Sequence, residues 1–473
     1  MLRLNYFQKG ITYLLIYSFA YFSVGCASYT SPFVYKTEEE LEQMEATSAQ
    51  AHTYFEARLY DKVRSTLESL CTEQTVSRPL YQLELLSVLL MEGKREQAHE
   101  LMVNIQRDLE LLFDPQSEKL ATSFWHGETN KVFKGEPHER AIFYAFLAMS
   151  FIERGEYEDA LRSVKNGLLA DISTEDNEKS SDFAILHYLG YIAARYNNDA
   201  ATAEEYKREY LHTLQKQGYL NNATDSIGAA LVNDGPLPNT FLVLWSGSPP
   251  TYLHGGTYDE IRHILPGNDS FSLLSVETED QQMVPVAWGL GDVNFQATTR
   301  GGREMDEVLK NKATLKRGLE ASSNILLVAG AACFLTAATQ NDANTMLLLA
   351  AIGGGCVLLG SGFYFAGACV NSKADIRAWR NLPGTLSIIP LYLPEGEQLV
   401  KIRGYYHWDN IAYHPFKVNI SNQKATVQHI SLLPYHQNSI NGAYSRYLEE
   451  LGKTLIDKDK DNFSTWMNYE ITD

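Results

Sequence analysis

A chain of 473 residues is too long for one small domain and holds enough sequence for two or three cores of about 100–200 residues each. Its 58 acidic against 40 basic side chains, a net charge of −18, argue against polyanion binding. Only short mixed runs such as Lys310-Asn311-Lys312 interrupt that balance, so a nucleic-acid partner is not expected.

The first predicted element is an export signal over residues 1–25. Arg3 and Lys9 precede an uncharged apolar run at 11–25, and Gly25 sits before Cys26, the expected site of lipidation. Ser23-Val24-Gly25 lacks the leucine usual three places before such a cysteine. Acyl chains on Cys26 would tether the mature chain, since each buried methylene contributes roughly 0.8 kcal/mol. Residues 26–37 then form a linker. The implied location is the bacterial cell envelope, facing the periplasm from the outer membrane.

Residues 38–220 read as helix. The clearest unit is 141–171, where Tyr144, Leu147, Ala148 and Phe151 mark one helix, Gly155 and Tyr157 the turn, and Ala160, Val164 and Leu168 a second helix. This spacing resembles a tetratricopeptide repeat, in which a small residue of one helix meets an aromatic of the next. Val63, Ala98 and Ala203 mark weaker copies at uneven intervals, which predicts a short solenoid with insertions. Tyr144, Leu147, Ala148, Phe151, Tyr157 and Ala160 are the candidate partner-binding residues. A helical core with no docking role is the competing reading.

From residue 221 turn residues separate short β-rich runs, so a β-containing domain is expected over 221–435. Strands are predicted at 241–245, 271–277, 283–288 and 293–298. A charged helix follows at 303–320, and then an apolar helical hairpin at 324–371. Its first arm, 325–338, carries no charge, and after Gln340-Asn341-Asp342 the chain stays uncharged from 343 to 372. The second arm is long enough to cross a bilayer and the first is short for it. Gly353, Gly360 and Gly367 recur every seven residues, as do Gly355, Gly362 and Cys369, giving two stripes of small residues. Burial inside the fold, membrane insertion and oligomerisation all remain open for this hairpin. So does a disulfide from Cys333 to Cys356 or Cys369, against a reading of all three as packing thiols.

Residues 373–383 read Lys-Ala-Asp-Ile-Arg-Ala-Trp-Arg-Asn-Leu-Pro. Together with the helical repeats, the Gly/Ala-rich segment, Gly135-Glu136-Pro137 and Glu139, this resembles a family of uncharacterised bacterial envelope lipoproteins that carry an Ala-Asp-x-Arg-x-Trp-x-x-Leu-Pro motif. The resemblance implies architecture and location and no chemistry. Alternation puts Asp375, Arg377 and Trp379 on one face of an expected strand, as an ion pair capped by the indole, with Leu382 and Pro383 closing the motif. The motif is read as structural. Pro394-Glu395-Gly396 should turn a hairpin into 398–406, and 416–420 should pair with 425–433 in another.

No phosphate loop, zinc helix or nucleophile elbow is present. His138-Glu139, His254 and His263 read as surface or capping residues. Asp457, Asp459 and Asp461 lack the glycine and glutamate of a calcium loop, and 436–473 reads as an acidic tail. The sequence therefore implies an α+β fold, with N-terminal tetratricopeptide-like repeats followed by a β-containing domain with an inserted apolar hairpin. Catalytic residues, metal ligands and cofactors are not expected. The first functional reading is a non-enzymatic, lipid-anchored scaffold or assembly factor that binds an envelope protein through its repeats. The alternative is a homo-oligomeric, membrane-inserting subunit of an export or surface-assembly apparatus.

Overall fold

The computed structural model describes residues 38–111, 128, 131–172, 183–216, 229–232, 235–267, 273–278, 283–285, 290–299, 304–406, 410–420 and 425–432. Cys26, the signal segment, the linker and the acidic tail lie outside them. The described chain is α+β, helical first and stranded afterwards.

Eight of the helices form hairpins in chain order: α1 (Glu38–Glu56) with α2 (Tyr60–Thr72), α3 (Arg78–Met91) with α4 (Arg95–Leu111), α5 (Pro137–Arg154) with α6 (Tyr157–Ile172), and α7 (Ala184–Tyr196) with α8 (Ala200–Lys216). Each hairpin turns on one left-handed residue: Arg58, Gly93, Gly155 and Asn198, with φ of 57°, 68°, 78° and 56°. At every turn that residue donates to a carbonyl three positions back and its successor donates to one five positions back. This pair of bonds satisfies carbonyls left open at a helix end, and glycine adopts the required φ without Cβ strain. Five residues after each turn stands a buried small or branched side chain: Val63, Ala98, Ala160 and Ala203. Close approach is strictest at Gly190 of α7, where an added Cβ would lie 2.6 Å from the Tyr206 ring of α8.

The strands form two four-stranded sheets and a ribbon. In the first sheet the order is β10 (Thr426–Ser431), β1 (Thr240–Ser246), β7 (Thr385–Leu391), β6 (Gly291–Asp292), and in the second β5 (Met283–Pro285), β4 (Leu273–Glu277), β8 (Gly396–Tyr406), β9 (Asn410–Ile420). β2 (Thr251–Gly255) and β3 (Ile261–Leu265) pair separately. The first sheet is buried on both faces. Phe241, Val243, Trp245, Leu386, Ile388 and Val427 join the helical core, while Leu242, Leu244, Ile389, Leu391 and Ile430 pack with Val276, Val400, Ile402, Val418 and Ile420 of the second sheet. Helices, sheet and sheet thus make three layers, which explains the unbroken apolar run of β1.

Several expectations fail here. Residues 293–298 are a helix, α9 (Val293–Thr298), because the Asp292 carboxylate accepts from the Phe295 amide at 2.8 Å and caps it. β7 and β8 do not form a hairpin: β7 has β1 and β6 on its two sides, so Gly396, at φ 109°, starts a strand of the other sheet. β9 and β10 likewise lie in different sheets, and β10 runs parallel to β1. The charged helix and the first apolar arm are one continuous 35-residue helix, α10 (Glu304–Ala338), followed by α11 (Ala343–Cys369). The β2–β3 ribbon was not anticipated.

Candidate functional site

Two features set this molecule apart from a plain layered fold: a strap laid across the helical layer, and the hairpin the strap is tied to. The strap comprises residues 374–382. It has no strand pairing, and four of its amides are taken by buried carboxylates instead. The Asp375 amide donates to Glu128 Oε2 at 2.7 Å, the Trp379 amide to Glu139 Oε1 at 2.6 Å, and the Arg380 and Asn381 amides to the two oxygens of Glu84 at 2.7 and 3.0 Å. The second oxygen of Glu139 accepts from the Glu136 amide at 2.7 Å and closes the capping box of α5. Burial pushes the Glu84 carboxyl up to about 8 against the pull of the Arg380 amide, and that of Glu139 up to about 7.

The motif side chains lock the strap in place. Arg377 pairs with Asp375 at 2.6 Å, donates to Ser77 Oγ and to the Lys131 carbonyl at 3.0 Å each, and lies over the Phe133 ring. The ion pair foreseen in the sequence is present, but its aromatic cover is Phe133 rather than Trp379. Trp379 instead enters the helical core, where Nε1 donates to Ser87 Oγ at 2.9 Å and Phe146 meets the indole edge-on. Leu382 and Pro383 are buried beyond it. Arg380 pairs with Glu45, and Asn381 bonds His52 at 2.8 Å, so α1, α3 and α5 all hold the strap.

This arrangement corrects the expected docking face. Tyr144, Leu147, Ala148 and Ala160 are buried. Phe151 packs edge-on against His99, and Tyr157 stacks on Tyr196. These residues hold the hairpins together, and the chain's own strap and first sheet cover the helices there. His138 is buried as well, 3.2 Å from the Tyr252 hydroxyl. His254 reaches the Ala374 carbonyl at 2.9 Å, while His263 is on the exposed side of the ribbon. Sequence reasoning missed Glu84. Its signal is a single carboxylate within a helix buried at every position from Pro79 to Leu90.

The hairpin stands away from this core. Its root is fixed: Leu309, Lys312 and Ala313 are buried, Tyr258 Oη donates to Glu320 at 2.5 Å, and Ser372 Oγ donates to the Tyr258 carbonyl at 3.2 Å. Beyond Glu320 the apolar side chains face outward, with Ile325, Val328, Leu335, Leu347, Leu358 and Phe365 each more than 60% exposed. Both helices are long and apolar enough to cross a membrane. The buried residues of α11 are Gly353, Gly360 and Gly367. A Cβ at Gly353 would meet the Gly330 carbonyl at 3.0 Å, and one at Gly360 would meet Leu327 at 3.0 Å, so the seven-residue stripe is where the two helices touch. Gly355 and Gly362 of the other stripe face open space. Cys333, Cys356 and Cys369 are free thiols. The reading of the hairpin as buried within its own fold is therefore corrected.

No family model matches the chain, and neither a curated protein nor a solved structure matches it.

Proposed function

We propose that this protein is a non-enzymatic, membrane-anchored component of the bacterial envelope, held in the bilayer by the α10–α11 hairpin and carrying its layered body as an assembly platform. The observation that carries the reading is the exposure of the hairpin's apolar side chains on a pair of helices already packed through their glycines. Eleven Leu, Ile, Val and Phe side chains of the pair beyond Glu320 are more than a third exposed. At roughly 0.3–0.6 kcal/mol each, lipid burial of these positions contributes about 3–7 kcal/mol. Aromatic Phe363, Tyr364 and Phe365 stand near the root, with Lys316 and Arg317, the composition favoured at a membrane interface. Acylation of Cys26 would add a second anchor to the same bilayer. The buried strap ties that bilayer segment to the helical layer, so force or displacement at the hairpin reaches α1, α3 and α5 directly.

Fractionation tests this. With Cys26→Ser removing the acyl site, the full chain should remain in the membrane pellet after an alkaline carbonate wash, and Leu348→Arg with Leu358→Arg should release it. Recovery of the Cys26→Ser protein as a soluble monomer without detergent would refute insertion.

A further inference from the structure

We propose that the hairpin runs through the full thickness of the bilayer and delivers its tip, residues 339–345, to the aqueous phase on the side opposite the folded body. This rests on the membrane reading above and adds what the far side of the membrane receives.

Three observations carry it. The first is length: the 27 residues of α11 rise about 40 Å, more than the roughly 30 Å hydrocarbon layer, and α10 packs antiparallel along it from Lys316 at the root to Gly330 and on to Ala338. The second is the tip itself. Thr339, Gln340, Asn341, Asp342, Asn344 and Thr345 form one polar cap, in which Asp342 is the single charge between Glu320 and Lys373. Its carboxylate accepts from the Thr345 amide at 2.9 Å and the Thr345 hydroxyl at 2.7 Å, and these bonds hold it below the usual carboxylate range. A hairpin ending at mid-bilayer would strand that ionised cap and the side-chain amides of Gln340, Asn341 and Asn344 in hydrocarbon, where such groups find no partner. The third is the root. Tyr258, Lys316, Glu320 and Ser372 form a polar collar around both limbs. The collar stops the apolar limbs from sinking further and sets the tip one bilayer thickness away. Both limbs begin and end in this collar, so the chain before Glu304 and after Ser372 stays on one side.

Site-directed labelling decides the matter. The full chain, with its cysteines replaced by serine, is inserted into sealed phospholipid vesicles with the body outside, and carries one new thiol at a time: Arg317→Cys at the root, Leu348→Cys in the limb, or Asn341→Cys at the tip. A membrane-impermeant maleimide is supplied outside or trapped in the lumen. The root thiol should react from outside, the limb thiol from neither side, and the tip thiol at least tenfold faster from the lumen than from outside. A tip thiol protected on both sides, with the limb thiol also protected, overturns the through-membrane tip while leaving insertion standing. Tip and limb thiols that both react from outside overturn the tip placement and the membrane reading together.

Discussion

Glu84 offers the sharpest test of the strap. Its carboxyl is pushed from 4.5 to about 8 by burial in α3, with both oxygens engaged by strap amides. Because the folded value is raised, the proton is held more tightly by the folded state. The contribution is fully present below about pH 4.5 and is lost as pH rises through about 8. Each pH unit in that window corresponds to about 1.4 kcal/mol for one fully shifted group, so the loss across it is on the order of 4–5 kcal/mol. His429 works in the opposite sense. Burial lowers its folded value to about 3, so its contribution is present above about 6.5 and lost as pH falls through about 3. Between roughly pH 6.5 and 8 Glu84 and Glu139, the latter raised to about 7 by burial, both lose their protons in the same sense, and the stability of the detergent-solubilised protein should fall. Glu84→Gln removes one of these two contributions, so the variant's melting temperature, followed by tryptophan fluorescence from pH 5 to 9, should vary less steeply than that of the parent without becoming flat. Parallel profiles for the two proteins would refute a Glu84 carboxyl raised by burial.

Other outcomes follow from particular contacts. Trp379→Ala should lower stability by about 3–5 kcal/mol, seen as a lowered melting temperature, since it removes a buried indole and leaves Ser87 Oγ without its donor. Arg377→Met should cost about 3 kcal/mol in the same assay by leaving Asp375 without its ion pair in a half-buried setting. Gly360→Leu should splay the hairpin, because its Cβ would meet Leu327 at 3.0 Å and the Ser323 carbonyl at 3.1 Å, whereas Gly362→Leu faces open space and should not. Protease sensitivity of α10 and α11 in detergent distinguishes the two glycine variants, and equal sensitivity would count against the packed stripe.

Local pattern carried much of the architecture. The four small or branched residues Val63, Ala98, Ala160 and Ala203 were legible because helix pairing demands a close approach at one fixed distance from each turn, and that distance survives insertions between the pairs. The glycine stripe at 353, 360 and 367 was legible for the same reason, as was the Asp375–Arg377 pair, whose members are two residues apart. What failed depended on one local cap and otherwise on partners far away in the chain. Alternation at 293–298 looked like a strand until Asp292 capped a helix, and the turn at 394–396 looked like a hairpin although both neighbours of β7 were already supplied by β1 and β6. The stripe residues of α5 and α6 looked like a docking face, but neighbouring helices take them up: Phe151 meets His99 of α4 and Tyr157 stacks on Tyr196 of α7. Whether the uncharged hairpin would be swallowed by the core or left outside it was also beyond composition. Periodicity reports which side of a helix is apolar, while burial depends on which other surfaces remain unfilled once three layers have packed, and here the sheets and strap had already filled them.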